Sequence, residues 1–306
     1  MRIKHMNSEV RNSSLNIGSK IKDYLKLIKL SLSIMVVFSS VLAYLLVPDI
    51  ESKYVNPLKM TILLAIGGLL VTGSANAINQ AVEKNTDAMM KRTSNRPVAA
   101  GRMSVTEAWV FAIIAGAVGI FILGHYFNWT SAGLAALSLF LYAFVYTPLK
   151  KVNAVAVLVG AFPGALPCLI GWAAGDETLS IGGWVLFGLQ FLWQFPHFWA
   201  ICWIAYKDYS LAGFKLLPSE KGPTKFTALQ TIIYSLLLLP MGVVPYFIGM
   251  SGIVSLFIVT AANLLMVWQC VRLYREMEVK AARRVMFSSY IYLPVVLFAL
   301  LGDKLN

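Results

Sequence analysis

The sequence predicts an all-α, polytopic membrane protein built as a bundle of nine transmembrane helices. Three observations carry that prediction. Of the 306 residues, 58% are hydrophobic and only 13% charged, against about 25% charged in a soluble domain, and the mean hydropathy is +0.70. Apolar runs long enough to cross roughly 30 Å of hydrocarbon, which takes about 20 residues, recur along the chain. Lysine and arginine are divided very unevenly between alternate connections. In lipid an unpaired backbone group is costly, so each apolar run is read as a helix.

The expected spans lie at about 27–48, 58–80, 104–124, 129–148, 154–174, 180–204, 227–248, 251–271 and 285–301. The first 25 residues are polar and basic, a cytoplasmic tail that lacks the early apolar core of a cleavable signal peptide. Residues 26–306 then form a single transmembrane domain. The strings "PDIESKYVNP", "GHYFN", "TPLKKVN" and "GDETLS" separate the early spans, because proline, glycine and polar residues end helices. In the fifth span Gly160, Pro163, Gly164 and Pro167 allow bending and close helix approach. In the sixth, Pro196 is expected to interrupt the helix.

With the N-terminus in the cytoplasm, 23 lysines and arginines fall on the inner side and three, Lys53, Lys59 and Lys304, on the outer. That split sets the orientation and puts the C-terminus outside. It also accounts for the net charge of +12, so the basic excess needs no nucleic-acid partner. Cys168, Cys202 and Cys270 lie in apolar runs without CxxC spacing and read as small buried hydrophobes.

The long inner connections also carry acids. In "NQAVEKNTDAMMKRTSNRP", residues 79–97, Asn79, Glu83 and Asp87 are spaced i, i+4, i+8. Each step of four turns a helix by about 400°, so the three oxygen-bearing side chains share one stripe. Carboxylate and amide oxygens suit Mg²⁺, a hard cation that binds one or two carboxylates together with substrate phosphates. Lys91, Arg92 and Arg96 follow, and the planar guanidinium fork matches phosphate oxygens. A diphosphate site is one reading; a solvated loop whose bases only set topology is the other, and it is preferred for Lys84 and Arg102. A second cluster, "AYKDYSLAGFKLLPSEKG", contributes Asp208 beside Lys207 and Tyr209. Alone, Asp208 reads as a surface charge. Just upstream, "WQFPHFWAICW" holds His197, the one histidine inside an expected span; His5 lies in the tail and His125 in an outer loop. An intramembrane imidazole is either a hydrogen-bonded structural group or a heme ligand or proton carrier.

The pattern NxxxExxxD followed by "KRTSNRPVAAGRMS" resembles the first acidic motif of the UbiA superfamily of intramembrane prenyltransferases. The longer strings "TPLKKVNAVAVLVGAFPGALPCLIGW" and "WQFPHFWAICWIAYKDYSLAGFKLLP" look like the heme-farnesylating branch of that superfamily. The resemblance implies nine helices around a central cavity open to the cytoplasm, in the cell (inner) membrane. It implies farnesyl diphosphate and heme B as substrates and Mg²⁺ as cofactor, with Asn79, Glu83, Asp87 and Asp208 as metal ligands. Lys91, Arg92 and Arg96 would contact diphosphate, and Asn95 would contact substrate. Tyr146, Lys207 and Tyr209 would contact substrate, and His197 would serve the heme reaction. Heme A synthase or oxidase assembly proteins are the implied partners. Two departures are visible: Glu83 stands where many members have Asp, and Ala212 where many have a second acid. The latter puts a symmetric two-metal cage in doubt. The rival activities are prenyl transfer to an aromatic acid or quinone precursor, and secondary transport; the latter predicts acids near the bilayer midplane rather than at helix ends.

Overall fold

The structure, a computed structural model, describes residues 17–53, 55–176, 178–219 and 221–305. Residues 1–16 of the expected tail, His5 among them, lie outside the described residues. Helix α1 (Ile17–Leu27) leads into α2 (Leu30–Leu45), α3 (Ile50–Lys53), α4 (Pro57–Val82), α5 (Lys84–Met89), α6 (Val105–Tyr126) and α7 (Trp129–Phe140). A π-helical turn (Leu141–Tyr146) joins α7 to α8 (Thr147–Leu149). Then come α9 (Val155–Asp176), α10 (Ile181–Ile204), α11 (Tyr206–Leu211), α12 (Lys225–Phe247), α13 (Ile253–Glu276) and α14 (Val279–Gly302). Among the described residues eight helical spans are long and apolar enough to cross a membrane, and α1 with α2, bent by 51°, supplies a ninth.

Local sequence sets the helix ends. Asn56 caps α4 through a 3.0 Å bond from the Lys59 amide, with Pro57 in the first turn, where its missing N–H costs nothing. Ser104 and Asn128 cap α6 and α7 in the same way. Packing follows chain order round a ring of α2, α4, α6, α7, α9, α10, α12, α13 and α14, with α14 returning to α2. Contacts of α2 with α9 and of α10 with α14 run across it. At the α2–α9 crossing a side chain on Gly171 would collide with the Ser40 carbonyl, so glycine is what permits that approach. The outward faces stay apolar: Ile113, Phe257 and Ile291 are 64%, 68% and 66% exposed. Such a surface is stable against lipid, not water.

Several expectations shift. The tail–domain division at residue 25 falls inside α1, which is docked: its Asp23 is buried and pairs with Arg102 at 3.0 Å. The last span starts at Val279 rather than 285, because its charged first turns, with Lys280, Arg283 and Arg284, are helical without being apolar. Pro196 does not interrupt α10, which runs unbroken to Ile204. In α9 the carbonyl of Pro163, deprived of its partner by Pro167, accepts a 3.2 Å bond from Ser138 Oγ instead.

Candidate diphosphate-binding site

Helix α4 does not run straight through the Asn79–Asp87 stripe. It stops at Val82, Glu83 turns the backbone (φ −93°, ψ 13°), and α5 resumes at Lys84. The i, i+4 bonds survive the break, with Glu83 N to Asn79 O at 2.9 Å and Asp87 N to Glu83 O at 2.7 Å. The three side chains therefore stay together, and all three are buried. The same device ends α10: Ala205 has φ −93° and ψ 14°, and α11 follows. Asp87 and Tyr209 each stand four residues beyond equivalent breaks.

Each oxygen-bearing group of the stripe is held by its own cation. Lys29 Nζ donates to Asn79 Oδ1 at 3.0 Å. Lys150 Nζ lies 2.6 Å from Glu83 Oε1. Arg96 Nη1 lies 2.7 Å from both carboxylate oxygens of Asp87. Asn79 Nδ2 in turn donates to Glu83 Oε2 at 2.8 Å, tying the pairs together. Arg92 turns to the other motif, donating to the Tyr209 hydroxyl at 2.7 Å with its guanidinium over that ring. The loop that carries both arginines is fixed by Thr93, whose hydroxyl donates to the Asp87 carbonyl at 2.8 Å.

Lys26, Lys29, Arg92, Asn95 and Arg96, with the apolar Leu25, Leu30 and Leu32, line a cleft of about 610 Å³. Of four cations, Lys29, Lys150, Arg92 and Arg96, only Lys150 and Arg96 are paired with carboxylates among the described residues, an excess of positive charge that suits an anionic guest. Burial pulls the Lys150 ammonium below the ordinary lysine range, and Glu83 opposes that pull. Burial pushes the Tyr209 phenol up to about 12, so it remains a neutral hydroxyl. Beside the cleft lies an apolar cluster built on Phe195, Trp199 and Phe214, with Tyr146, Tyr209 and Tyr234 packed against it. Tyr146 fits because a Cβ on Gly160 would lie 2.6 Å from its ring. Its ring also carries the Lys150 ammonium at 4.9 Å.

The structure thus assembles Asn79, Glu83, Asp87, Arg92, Asn95, Arg96, Tyr146 and Tyr209. Lys91 and Lys207 are exposed, and Asp208, half-buried in the first turn of α11, is not joined to the first motif by an ion pair or hydrogen bond. Among the described residues no three His, Cys, Asp or Glu side chains converge at metal-holding distances. Among the described residues Arg92 and Tyr209 join the two motifs directly. His197 faces away, toward α14: Nδ1 lies 2.7 Å from Ser289 Oγ and the ring stacks on Trp193. Sequence reasoning missed Lys29 and Lys150, which it counted only toward topology. It also missed Arg102, which is no free loop cation: it holds Asp23 and donates to Asn95. A lone lysine entering an apolar run, as in "LIKLSLS", was the available signal for Lys29.

The UbiA prenyltransferase family matches residues 32–292. A protein named protoheme IX farnesyltransferase from Cytophaga hutchinsonii is 43% identical over 288 residues, covering 94% of this chain and 99% of the relative. One of the same name from Flavobacterium johnsoniae is 42% identical over 301 residues, covering 95% and 97%. Among solved structures, one from work on digeranylgeranylglyceryl phosphate synthase superposes with a TM-score of 0.76 at 20% identity, covering 93% of this chain and 98% of that one. A UbiA homolog from Archaeoglobus fulgidus bound to GPP and Mg²⁺ gives 0.70 at 16% identity, covering 92% and 99%. The chain is a polytopic membrane protein, and it belongs to the UbiA prenyltransferase family.

Proposed function

We propose that this chain transfers the farnesyl group of farnesyl diphosphate to a vinyl group of heme B, with addition of water, to give heme O and diphosphate. The observation that carries the reading is the set of separate cation–oxygen pairs, Lys29–Asn79, Lys150–Glu83 and Arg96–Asp87, of which Lys29 and Arg96 line a basic cleft and Lys150 lies against the aromatic rings of Tyr146 and Phe214. The acceptor is supplied by the name shared by relatives at 42–43% identity along nearly the whole chain.

The donor set fits magnesium: two carboxylates and an amide oxygen are hard ligands, and each is held by a cation that an arriving diphosphate can take over. Asn79, Glu83 and Asp87 would hold the metal, with Asp208 approaching from α11. Bound magnesium supplies positive charge to the diphosphate oxygens and so makes diphosphate a better leaving group. Lys29, Lys150, Arg92 and Arg96 then bind the diphosphate oxygens and stabilise the charge that grows on them as the C–O bond breaks. Lys91, Asn95 and Lys207 complete the anion-binding rim. The Tyr146, Phe195, Trp199, Tyr209 and Phe214 wall shelters the allylic cation and excludes stray water. The vinyl carbon attacks that cation, and water captures the resulting benzylic-type cation and releases a proton. Heme B meets α10 through His197.

The charge split of 23 to 3 supports a cell-membrane location with a cytoplasmic N-terminus and an external C-terminus. Heme A synthase or oxidase assembly proteins are the expected recipients of the product. The reading is tested by offering the purified chain farnesyl diphosphate and Mg²⁺ with either heme B or an aromatic acid. Farnesylation of heme alone is expected; farnesylation of the aromatic acid alone would replace heme as the acceptor.

A further inference from the structure

We infer that Ser289 is a positioning residue that locks His197 in the tautomer protonated at Nδ1, leaving the Nε2 lone pair free for the heme iron; this rests on the reading of His197 as the heme contact. The argument is a count of protons. Ser289 Oγ lies 2.6 Å from the Met286 carbonyl oxygen. Two oxygens that close repel unless a proton lies between them, and a carbonyl has none to give, so the serine hydroxyl donates to Met286. A hydroxyl carries one proton. Nothing is left to bridge the 2.7 Å gap between Ser289 Oγ and His197 Nδ1 except the imidazole's own N–H. The chain therefore runs from His197 Nδ1–H to Ser289 Oγ–H to Met286 O, and a neutral ring so bonded carries its lone pair on Nε2.

The orientation is fixed from two further sides. Trp193 Nε1 donates to the Ser289 carbonyl at 3.0 Å, so main chain and side chain of Ser289 both grip α10. The Trp193 ring stacks on the imidazole at 4.9 Å and 17°, and Tyr290 meets its edge at 5.3 Å. Among the described residues Nε2 has no hydrogen-bond partner. A histidine whose second nitrogen donates to an oxygen is the usual state of a metal-ligating imidazole, because that bond fixes the ring and raises its basicity.

Two measurements on the full chain test this. The first is the ¹⁵N spectrum of histidine-labelled wild type without heme. The chain has three histidines, and His197→Ala identifies the relevant signals by subtraction. A protonated Nδ1 and a bare Nε2 are expected; the reverse tautomer overturns the proposal without requiring any Ser289 variant to fold. The second is titration with heme B, read by affinity and by the Soret signature of axial imidazole. Ser289→Ala should weaken binding about 10-fold or more, the usual cost of losing such a partner, and blur the imidazole signature, while Ser289→Thr should restore both. Ser289→Ala matching wild type in both readouts, with His197→Ala losing both, overturns the role of Ser289 alone. His197→Ala matching wild type overturns the heme contact itself.

Discussion

Arg96 grips Asp87 through one nitrogen placed 2.7 Å from each carboxylate oxygen, and Asp87 is only 1% exposed. A carboxylate so engaged cannot serve a metal until the arginine lets go. Diphosphate is the natural exchange partner, because it offers the guanidinium a better anion in the adjoining cleft. Asp87→Asn and Glu83→Gln should therefore leave the chain inserted and folded yet remove most activity. Full turnover in both, measured against equal amounts of folded protein, would show that neither carboxylate takes part.

Removing the other partner should look different. Arg96→Ala strands a buried carboxylate, at a cost of about 3–5 kcal/mol, so it should lose stability as well as activity. Asp87→Asn in the same chain should recover much of the stability and none of the activity. A thermal-unfolding double-mutant cycle in detergent measures this, and additive effects would rule out the pairing. Arg92→Lys should also be poorly tolerated, since a point charge cannot both stack on Tyr209 and bond its hydroxyl.

The two loop cations that the sequence set aside should part company. Arg102 holds Asp23 and Asn95 together, so Arg102→Ala should cost roughly 1–3 kcal/mol for the charged bonds lost and loosen the cleft. Lys84 is exposed on α5, and Lys84→Ala should be neutral. Equal effects in stability and in Michaelis constant for farnesyl diphosphate would contradict this.

Lys150 gives the site a pH signature. Its proton is lost earlier on the alkaline side than an exposed lysine's, because burial disfavours the charge. Diphosphate affinity should fall as pH rises through that lowered range, and Lys150→Arg, which cannot deprotonate there, should flatten the limb. Stability should move the opposite way: over the same window the unfolded chain holds more protons than the folded one, so stability rises with pH. Identical pH–affinity curves for the two proteins would remove Lys150 from the site.

What could be read in the sequence follows from how local each signal is. The spans were legible because lipid demands long apolar helices, and the Asn79–Glu83–Asp87 stripe because helical spacing survives the turn at Glu83. Lys29 and Lys150 were not, because each reaches the site from a distant helix end and looks in sequence like a topology signal. The turn at Lys29, left-handed at φ 48°, leaves no mark in composition either. His197 was found as a chemical type, but its direction depends on Ser289, 92 residues away. The Arg92–Tyr209 bridge joins residues 117 apart, a separation at which sequence spacing carries no signal.

Farnesyl diphosphate and heme should depend on separate parts of the molecule. Asp87→Asn should abolish Mg²⁺-dependent binding of labelled farnesyl diphosphate and leave heme absorbance titrations unchanged; His197→Ala should do the reverse. Parallel loss of both ligands in either variant would mean a single shared site or a misfolded chain.

The most direct measurement is product formation. Purified wild-type protein incubated with heme B, farnesyl diphosphate and Mg²⁺ should yield a species with the mass of heme O, and chelating all divalent ions or substituting Asp87→Asn should abolish it. Heme returned unmodified by the folded wild-type protein, or heme O formed undiminished under chelation and in Asp87→Asn, would contradict the account.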